Sequence, residues 1–377
     1  WLQRYEPDVA ERTSNYLNAG DFLVAQLTGE FVTDPNNASK FHYLGTRDAY
    51  PERLLDSLGI DPKTLPSVQP MGSEVGSLRA DAAEELGLPE TCHVRLSTYD
   101  ALAAVTGTGA FEVGEAVDVS GTVTSFRAVT DHHLYDPAHR IYVTEHIGRN
   151  RWLAGGSNNL GGGIIEWLRD WMFEGADDPY ADMEELAAGQ PPCPGGLVFL
   201  PHLLGERAPV WNPDCRGVFF GLNRAHGRGE IVRAVLEGAC FSARHIGAVL
   251  EDLDVPVESV AVSGGLSRLD VVNQIKADMF GVPVKKPSNF ETTSIGAALI
   301  GLVGTGVYED GAEGFEEFCD IDRVYEPDPD RHAVYREYMD LYRDVYDSLS
   351  GAYSRRARLL EDLREEGVDE LVIAENL

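Results

Sequence analysis

The chain has 377 residues, of which 43% are hydrophobic, and its 62 acidic against 31 basic side chains leave a formal net charge of −31. That length predicts two domains with a sizeable core, and the absence of an apolar run of about 18 residues excludes a spanning helix. So acidic a composition also speaks against a nucleic-acid partner, whose phosphates require basic patches.

Taken in chain order, the first predicted element is a helix over Thr13–Leu27, with apolar Leu17, Phe22, Val24 and Leu27 at helical spacing. Pro51–Leu58 and Ala80–Leu86 read as two more, the latter stopped by Gly87. A short strand, His93–Leu96, leads to Asp100, and a small-residue helix follows over Ala101–Gly109. Asp100 is therefore expected at a strand's carboxyl end and near a helix N-terminus, where the dipole favours the ionised carboxylate. A plain N-cap aspartate is the alternative reading of the same pattern. The domain break is placed near Gly114, giving domains 1–114 and 115–377.

Val117–Phe126 reads as a strand, a tight turn and a returning strand. Gly121 permits φ > 0, and the hydroxyls of Ser120, Thr122 and Thr124 surround it. Such a turn can wrap a phosphate, and it can equally be a plain hairpin. Trp152–Gly156 predicts a further strand, leading through Asn158–Gly163 into a helix over Ile164–Met172. Arg228–Leu253 is a long well-patterned helix. Next, Val260–Val262 forms a strand that reaches Gly264-Gly265, then a helix with Leu269, Val272, Ile275 and Met279 on one stripe, stopped by Gly281. A strand at Val282–Val284 and a helix around Gly296-Ala297-Ala298 complete the unit. Strand, glycine turn and helix together offer bare N–H groups to an anionic or nucleotide ligand, beyond the carboxyl ends of the strands. A charged helix over Arg331–Glu365 closes the chain, and no repeat is visible.

Five scattered cysteines (Cys92, Cys193, Cys215, Cys240, Cys319) show no metal-binding spacing, which predicts reduced thiols and a cytoplasmic protein. Only five of the basic residues are lysines (Lys40, Lys63, Lys276, Lys285, Lys286). That scarcity points to a salt-adapted, halophilic surface, on which carboxylates hold hydration while salt screens their repulsion.

Several separated motifs carry a resemblance. Gly217-Val-Phe-Phe-Gly221-Leu222 is followed after seven residues by Glu230-Ile231-Val-Arg-Ala234-Val235-Leu236-Glu237. Leu200-Pro201-His202-Leu203-Leu204-Gly205-Glu206-Arg207-Ala208-Pro209 precedes them, and Leu27-Thr28-Gly29-Glu30, Asp34 and Asn37-Ala38-Ser39 lie near the start. Together these resemble the FGGY family of carbohydrate kinases, within the actin, hexokinase and heat-shock ATPase superfamily, from Trp1 to about Tyr346. One departure stands out. Family members open with a strand and an Asp-x-Gly-Thr phosphate loop, whereas Trp1 aligns well inside the family's first domain, as if the N-terminal part of that domain preceded it.

The resemblance implies an α/β fold of the two-domain actin/hexokinase-like (ribonuclease H-like) ATPase type with an interdomain cleft. It implies ATP and Mg2+ as cofactors and a small-molecule sugar as partner. No nucleic acid or membrane is implied, and a homodimer is a candidate assembly. Asp100 matches the catalytic base, which takes a proton from the sugar hydroxyl that attacks the γ-phosphoryl group. Gly121 and Thr122 match the phosphate loop, Gly162 and Glu166 the positions beside ribose and base, and Gly264 and Gly265 the adenosine loop. At Glu166 the family often has an amide. Magnesium would be carried by ATP oxygens and water, with no protein metal ligand. Glu237 is expected to brace the hinge, Glu206 and Arg207 to form a buried ion pair, and His202 and His245 to be ordinary polar residues. The Ser97-Thr98-Tyr99-Asp100 context and Leu-Thr-Gly-Glu look more like xylulose kinases than glycerol kinases, which suggests a ketopentose. Ribulose, glycerol or a catalytically silent sugar sensor are the alternatives, and Asp100 argues against the last.

Overall fold

The computed structural model describes residues 1–147, 150–289 and 291–365. Helix α1 (Ala19–Thr28) starts later than the periodicity predicts, because Asn18 and Asp21 form a capping box there and a separate helical turn ends at Arg12. After it come two small two-stranded sheets, Val32–Thr33 with Ser67–Val68 and Glu74–Ser77 with His93–Arg95. Helix α2 (Asp100–Thr106) follows, with Asp100 as its first residue.

The main sheet takes strands β1 (Gly114–Ser120), β2 (Thr124–Thr130), β3 (Tyr142–Glu145) and β4 (Trp152–Ser157). Helices α3 (Gly163–Met172), α4 (Pro179–Ala188) and α5 (Arg228–Asp252) come next. The unit predicted around the second glycine turn is β5 (Val257–Ser263), α6 (Asp270–Phe280), β6 (Val284–Pro287) and α7 (Thr292–Thr305). Strand β7 (Ile321–Tyr325) and helix α8 (Pro329–Glu365) complete the described chain. The sheet has seven strands in the order β7-β6-β5-β1-β2-β4-β3. β1, β2, β4 and β3 are antiparallel neighbours, while β5 runs parallel to β1 and β6 parallel to β5. The sheet is thus mixed, with helices on both faces, as the resemblance implies.

Every residue of β2 is buried, as expected for a strand covered on both faces. Phe126 and Ala128 pack with Ile246 and Val249 of α5 and Phe280 of α6. Val129 lies with Val117 and Leu153 against Leu102 and Val105 of α2. The small residues of α2 have a geometric reason. A Cβ at Gly107 would collide with the Thr292 carbonyl oxygen, and one at Gly296 with that of Ala103, so α2 and α7 cross nearly backbone to backbone.

The two glycine turns differ from each other in conformation. Gly121 does not adopt a left-handed φ; it sits in the open end of the β1–β2 hairpin. Gly264 does, with φ 88°, and a four-residue 3-10 turn (Gly265–Arg268) separates it from α6. The Gly264-Gly265 amides therefore stand one turn ahead of the helix. Gly281 caps α6 at φ 70°, and with Pro283 behind it the next strand begins only at Val284.

Candidate active site

Three glycine segments converge at the carboxyl end of β1. The Gly162 amide donates to the Gly121 carbonyl at 2.6 Å, and the Gly161 amide to that of Thr122 at 2.9 Å. A Cβ at Gly162 would stand 2.6 Å from the Gly121 oxygen, and one at Gly264 would collide with the Ser120 carbonyl. Glycine is needed at both positions because backbone packs directly on backbone.

These segments bound a cavity of about 520 Å³. Five of the six residues predicted for the nucleotide line it: Gly121, Thr122, Gly162, Glu166 and Gly265. Gly264 is not among the lining residues; it holds the turn onto Ser120. Sequence reasoning missed the opposite wall, formed by Asp178, Tyr180, Ala181 and Glu184 at the start of α4, together with Arg268 and Leu269. Asp178 caps α4 by accepting from the Ala181 amide at 3.1 Å. Glu184 accepts from the Val271 amide at 3.0 Å, tying that wall to α6.

Behind the phosphate turn lies a buried ion pair. Lys276 of α6 meets Asp118 of β1 at 2.9 Å, with side-chain exposures of 1% and 0%. Ser120 Oγ donates a short hydrogen bond to Asp118 and accepts from Thr124 at 3.1 Å and from Lys276 at 3.3 Å. Asp118 Oδ1 thus takes both Lys276 and Ser120, while its Oδ2 is buried without a hydrogen-bond partner. Among the described residues no three His, Cys, Asp or Glu side chains come together to hold a metal. Lys276 had one readable signal: it is among only five lysines, and it is four residues after Val272 on an apolar stripe.

Asp100 stands apart from the cavity lining. It is exposed, and its Oδ1 accepts from the Ala101 amide at 2.8 Å. The segment before it is fixed from below. Thr98 donates to Asp34 at 2.9 Å, and Asn37 Nδ2 donates to the same carboxylate at 2.6 Å. Burial pushes the Asp34 carboxyl above its usual range, against those hydrogen bonds. Lys40 donates to Asn37 Oδ1 at 2.8 Å and lies 4.2 Å from the Tyr99 ring centroid. The Asp34 and Asn37 motif therefore acts as the support of the residues leading into Asp100.

The remaining predicted polar residues are structural. Glu237 is buried, with Arg233 Nε and the Tyr335 hydroxyl each donating at 2.7 Å. Arg207 does not pair with Glu206 through its guanidinium; Arg207 Nη2 donates to the Asn158 carbonyl at 2.8 Å. Glu206 instead meets His202 Nδ1 at 3.1 Å and accepts from the Asn159 amide at 2.7 Å. His202 is therefore a partner of a buried acid. Burial pushes His245 down to about 3. Among the described residues no helix is long and apolar enough to cross a membrane.

Comparison with known proteins agrees with this fold. The N-terminal domain of the FGGY family of carbohydrate kinases matches residues 1–107, and its C-terminal domain matches residues 102–305. The gluconokinase of Bacillus licheniformis is 29% identical over 375 residues, covering 96% of this chain and 72% of that protein. The glycerol kinase of Dechloromonas aromatica is 31% identical over 365 residues, covering 93% and 70%. The solved structure of ligand-bound xylulose kinase from Lactobacillus acidophilus superposes with a TM-score of 0.88 at 26% identity, covering 94% of this chain and 72% of that one. A match to both family domains, joined to a fold shared with a solved xylulose kinase, means that this chain belongs to the FGGY family of carbohydrate kinases.

Proposed function

We propose that the chain transfers the γ-phosphoryl group of ATP to a hydroxyl of a small open-chain sugar, for which the sequence suggests a ketopentose such as xylulose. The observation that carries this reading is the cavity bounded by Gly121, Thr122, Gly162 and Gly265, with Asp100 on the helix packed against the same sheet. In this reading the Tyr180 side of the cavity receives adenosine and the Gly121–Thr122 turn receives the phosphates. Backbone amides and the Thr122 hydroxyl donate there. The turn from Ser120 to Val123 contains no carboxylate, and Asp118 beneath it is wholly buried with its Oδ1 against Lys276. Mg2+ would accordingly ride on the nucleotide oxygens and water, where it offsets phosphate charge.

Asp100 acts as general base. Its exposed carboxylate takes the proton of the acceptor hydroxyl as that oxygen attacks, a contribution of roughly 10²–10⁴ in rate. The domain boundary is placed at Gly114, so that the base and the phosphate turn approach from two domains whose closure would exclude water. The acidic, lysine-poor composition is assigned to a salt-adapted cytoplasm, consistent with five free cysteines. An ADP-release assay on the full chain with ketopentoses, ketohexoses, gluconate and glycerol tests the reading. Turnover of at least one acceptor supports it, while sugar binding without turnover would identify a silent sensor.

A further inference from the structure

We infer that the acceptor pocket has an anion-binding floor built on Arg127, and that the acceptor is a sugar acid, an aldonate. This inference rests on the kinase reading and narrows its acceptor, favouring a carboxylate-bearing sugar over the neutral ketopentose. Arg127 lies in the middle of β2 and is 2% exposed. Its Nη2 donates to the Tyr142 hydroxyl at 3.0 Å, while Nε and Nη1 are buried without a hydrogen-bond partner. No carboxylate pairs with it among the described residues.

The other buried lysine and arginines among the described residues each meet a carboxylate, Arg244 meeting Glu251 at 2.9 Å. Arg233 is matched to Glu237 at 2.7 Å and Lys276 to Asp118 at 2.9 Å. An interior guanidinium facing only phenols is costly to retain, and an anion supplied from outside would complete it. Its planar fork suits a carboxylate in particular.

Unpartnered polar atoms gather around the same place. Ser125 Oγ, two residues along the same strand face, is buried and unpartnered, and so is Nε of Arg207. The Tyr142 hydroxyl also meets Ser157 Oγ at 2.7 Å. Burial alone would raise the Tyr142 phenol, yet the charges of Arg127 and Arg207 and its hydrogen bonds hold it below its ordinary value.

The position fits an acceptor. Arg127 adjoins the Tyr99 hydroxyl, one residue before the base. Ser125 is separated from the phosphate turn by Thr124 alone. Through Tyr99 and Thr124 the floor is thus tied in sequence both to the base and to the phosphate turn.

The test compares acceptors of equal carbon number that differ in charge, using the full chain and ATP: gluconate against glucitol, and xylonate against xylulose. The acids should show kcat/KM higher by about 100-fold or more, the range for a buried charge that finds or lacks its partner. Arg127→Met should remove most of that preference while leaving the ATP KM within about twofold, and Arg127→Lys should restore part of it. Xylulose turned over as well as xylonate would overturn the inference and leave the kinase reading intact. So would an Arg127→Met variant whose only change is a raised ATP KM, since the guanidinium would then serve the phosphates. If no acceptor is phosphorylated, the kinase reading fails instead. Calorimetric titration of wild-type protein with gluconate and glucitol then decides the floor by itself: saturable binding of gluconate alone supports it, and equal or absent binding refutes it.

Discussion

Replacing Lys276 by Met isolates the pair that supports the phosphate turn. The side chain is 1% exposed and its partner Asp118 is wholly buried, 2.9 Å away. Met fills much the same volume, so the main change is electrostatic: Asp118 is left in the interior with only the Ser120 hydroxyl donating to it. Removing one partner of a buried pair typically costs about 3–5 kcal/mol. Against a total stability of roughly 5–15 kcal/mol for a protein, the loss should be plain in the urea midpoint. Lys276 also donates to Ser120, whose carbonyl sits against Gly264, so the two nucleotide turns should loosen together and the ATP KM should rise. Combining Lys276→Met with Asp118→Leu should recover much of the lost stability, because an apolar pair carries no orphaned charge. Equilibrium urea unfolding and initial-rate kinetics provide the readouts. A single variant less than about 1 kcal/mol below wild type, with the ATP KM unchanged, would refute the reasoning, as would a double variant less stable than Lys276→Met alone.

Asp100→Asn should preserve folding and ATP binding and lower kcat by roughly 10²–10⁴; a variant keeping more than half of wild-type turnover rejects the base. Gly265 lines the cavity with nothing within 4 Å of an added Cβ, so Gly265→Val would project into the space for adenosine. An overpacking cost of about 1–3 kcal/mol corresponds to roughly 5–150-fold in ATP KM, and an unchanged KM removes this turn from the site. His146 is 4% exposed, is bonded through Nε2 to the Ala110 carbonyl at 2.8 Å, and is pushed by burial from 6.5 down to about 4. Its folded form resists protonation, so below about pH 6.5 the unfolded chain binds the extra proton and stability falls until about pH 4. Urea midpoints across that window should fall less steeply for His146→Gln, and an unaltered slope assigns the effect elsewhere. The net charge of −31 predicts a melting temperature that climbs steeply from roughly 0.1 to 3 M KCl, as the Debye length shrinks from about 10 Å to 3 Å and below; a flat curve leaves the acidic composition unexplained.

The parts of the site that were legible in the sequence are those where backbone geometry dictates residue type. Gly162 and Gly264 must lack a Cβ because carbonyl oxygens occupy its place, and that requirement is written locally. The long helix at Arg228–Asp252 and the strands flanking both turns were readable for the same reason: period and turn chemistry are properties of adjacent residues. What could not be read depends on distant segments meeting. Tyr180 and Glu184 enter the cavity only because α4 packs beside α6. Arg127 sits in a strand that the fold covers on both faces, and nothing nearby in the chain announces either its burial or that no acid will face it. Glu206 and Arg207, adjacent and opposite in charge, suggested a pair, yet the fold sends one to His202 and the other to a carbonyl. Of the two glycine turns it is Gly264 that takes a positive φ, since an open hairpin end spares Gly121 that conformation.

Phosphoryl transfer itself is tested most directly by following both products in one reaction. The full chain is incubated with ATP, Mg2+ and either gluconate or xylulose, and ADP and phosphorylated acceptor are quantified together. The account predicts acceptor-dependent formation of the two in a one-to-one ratio, lowered by two or more orders of magnitude in Asp100→Asn. ADP released at the same rate with and without acceptor, or bound ATP with no product from any acceptor, would contradict it.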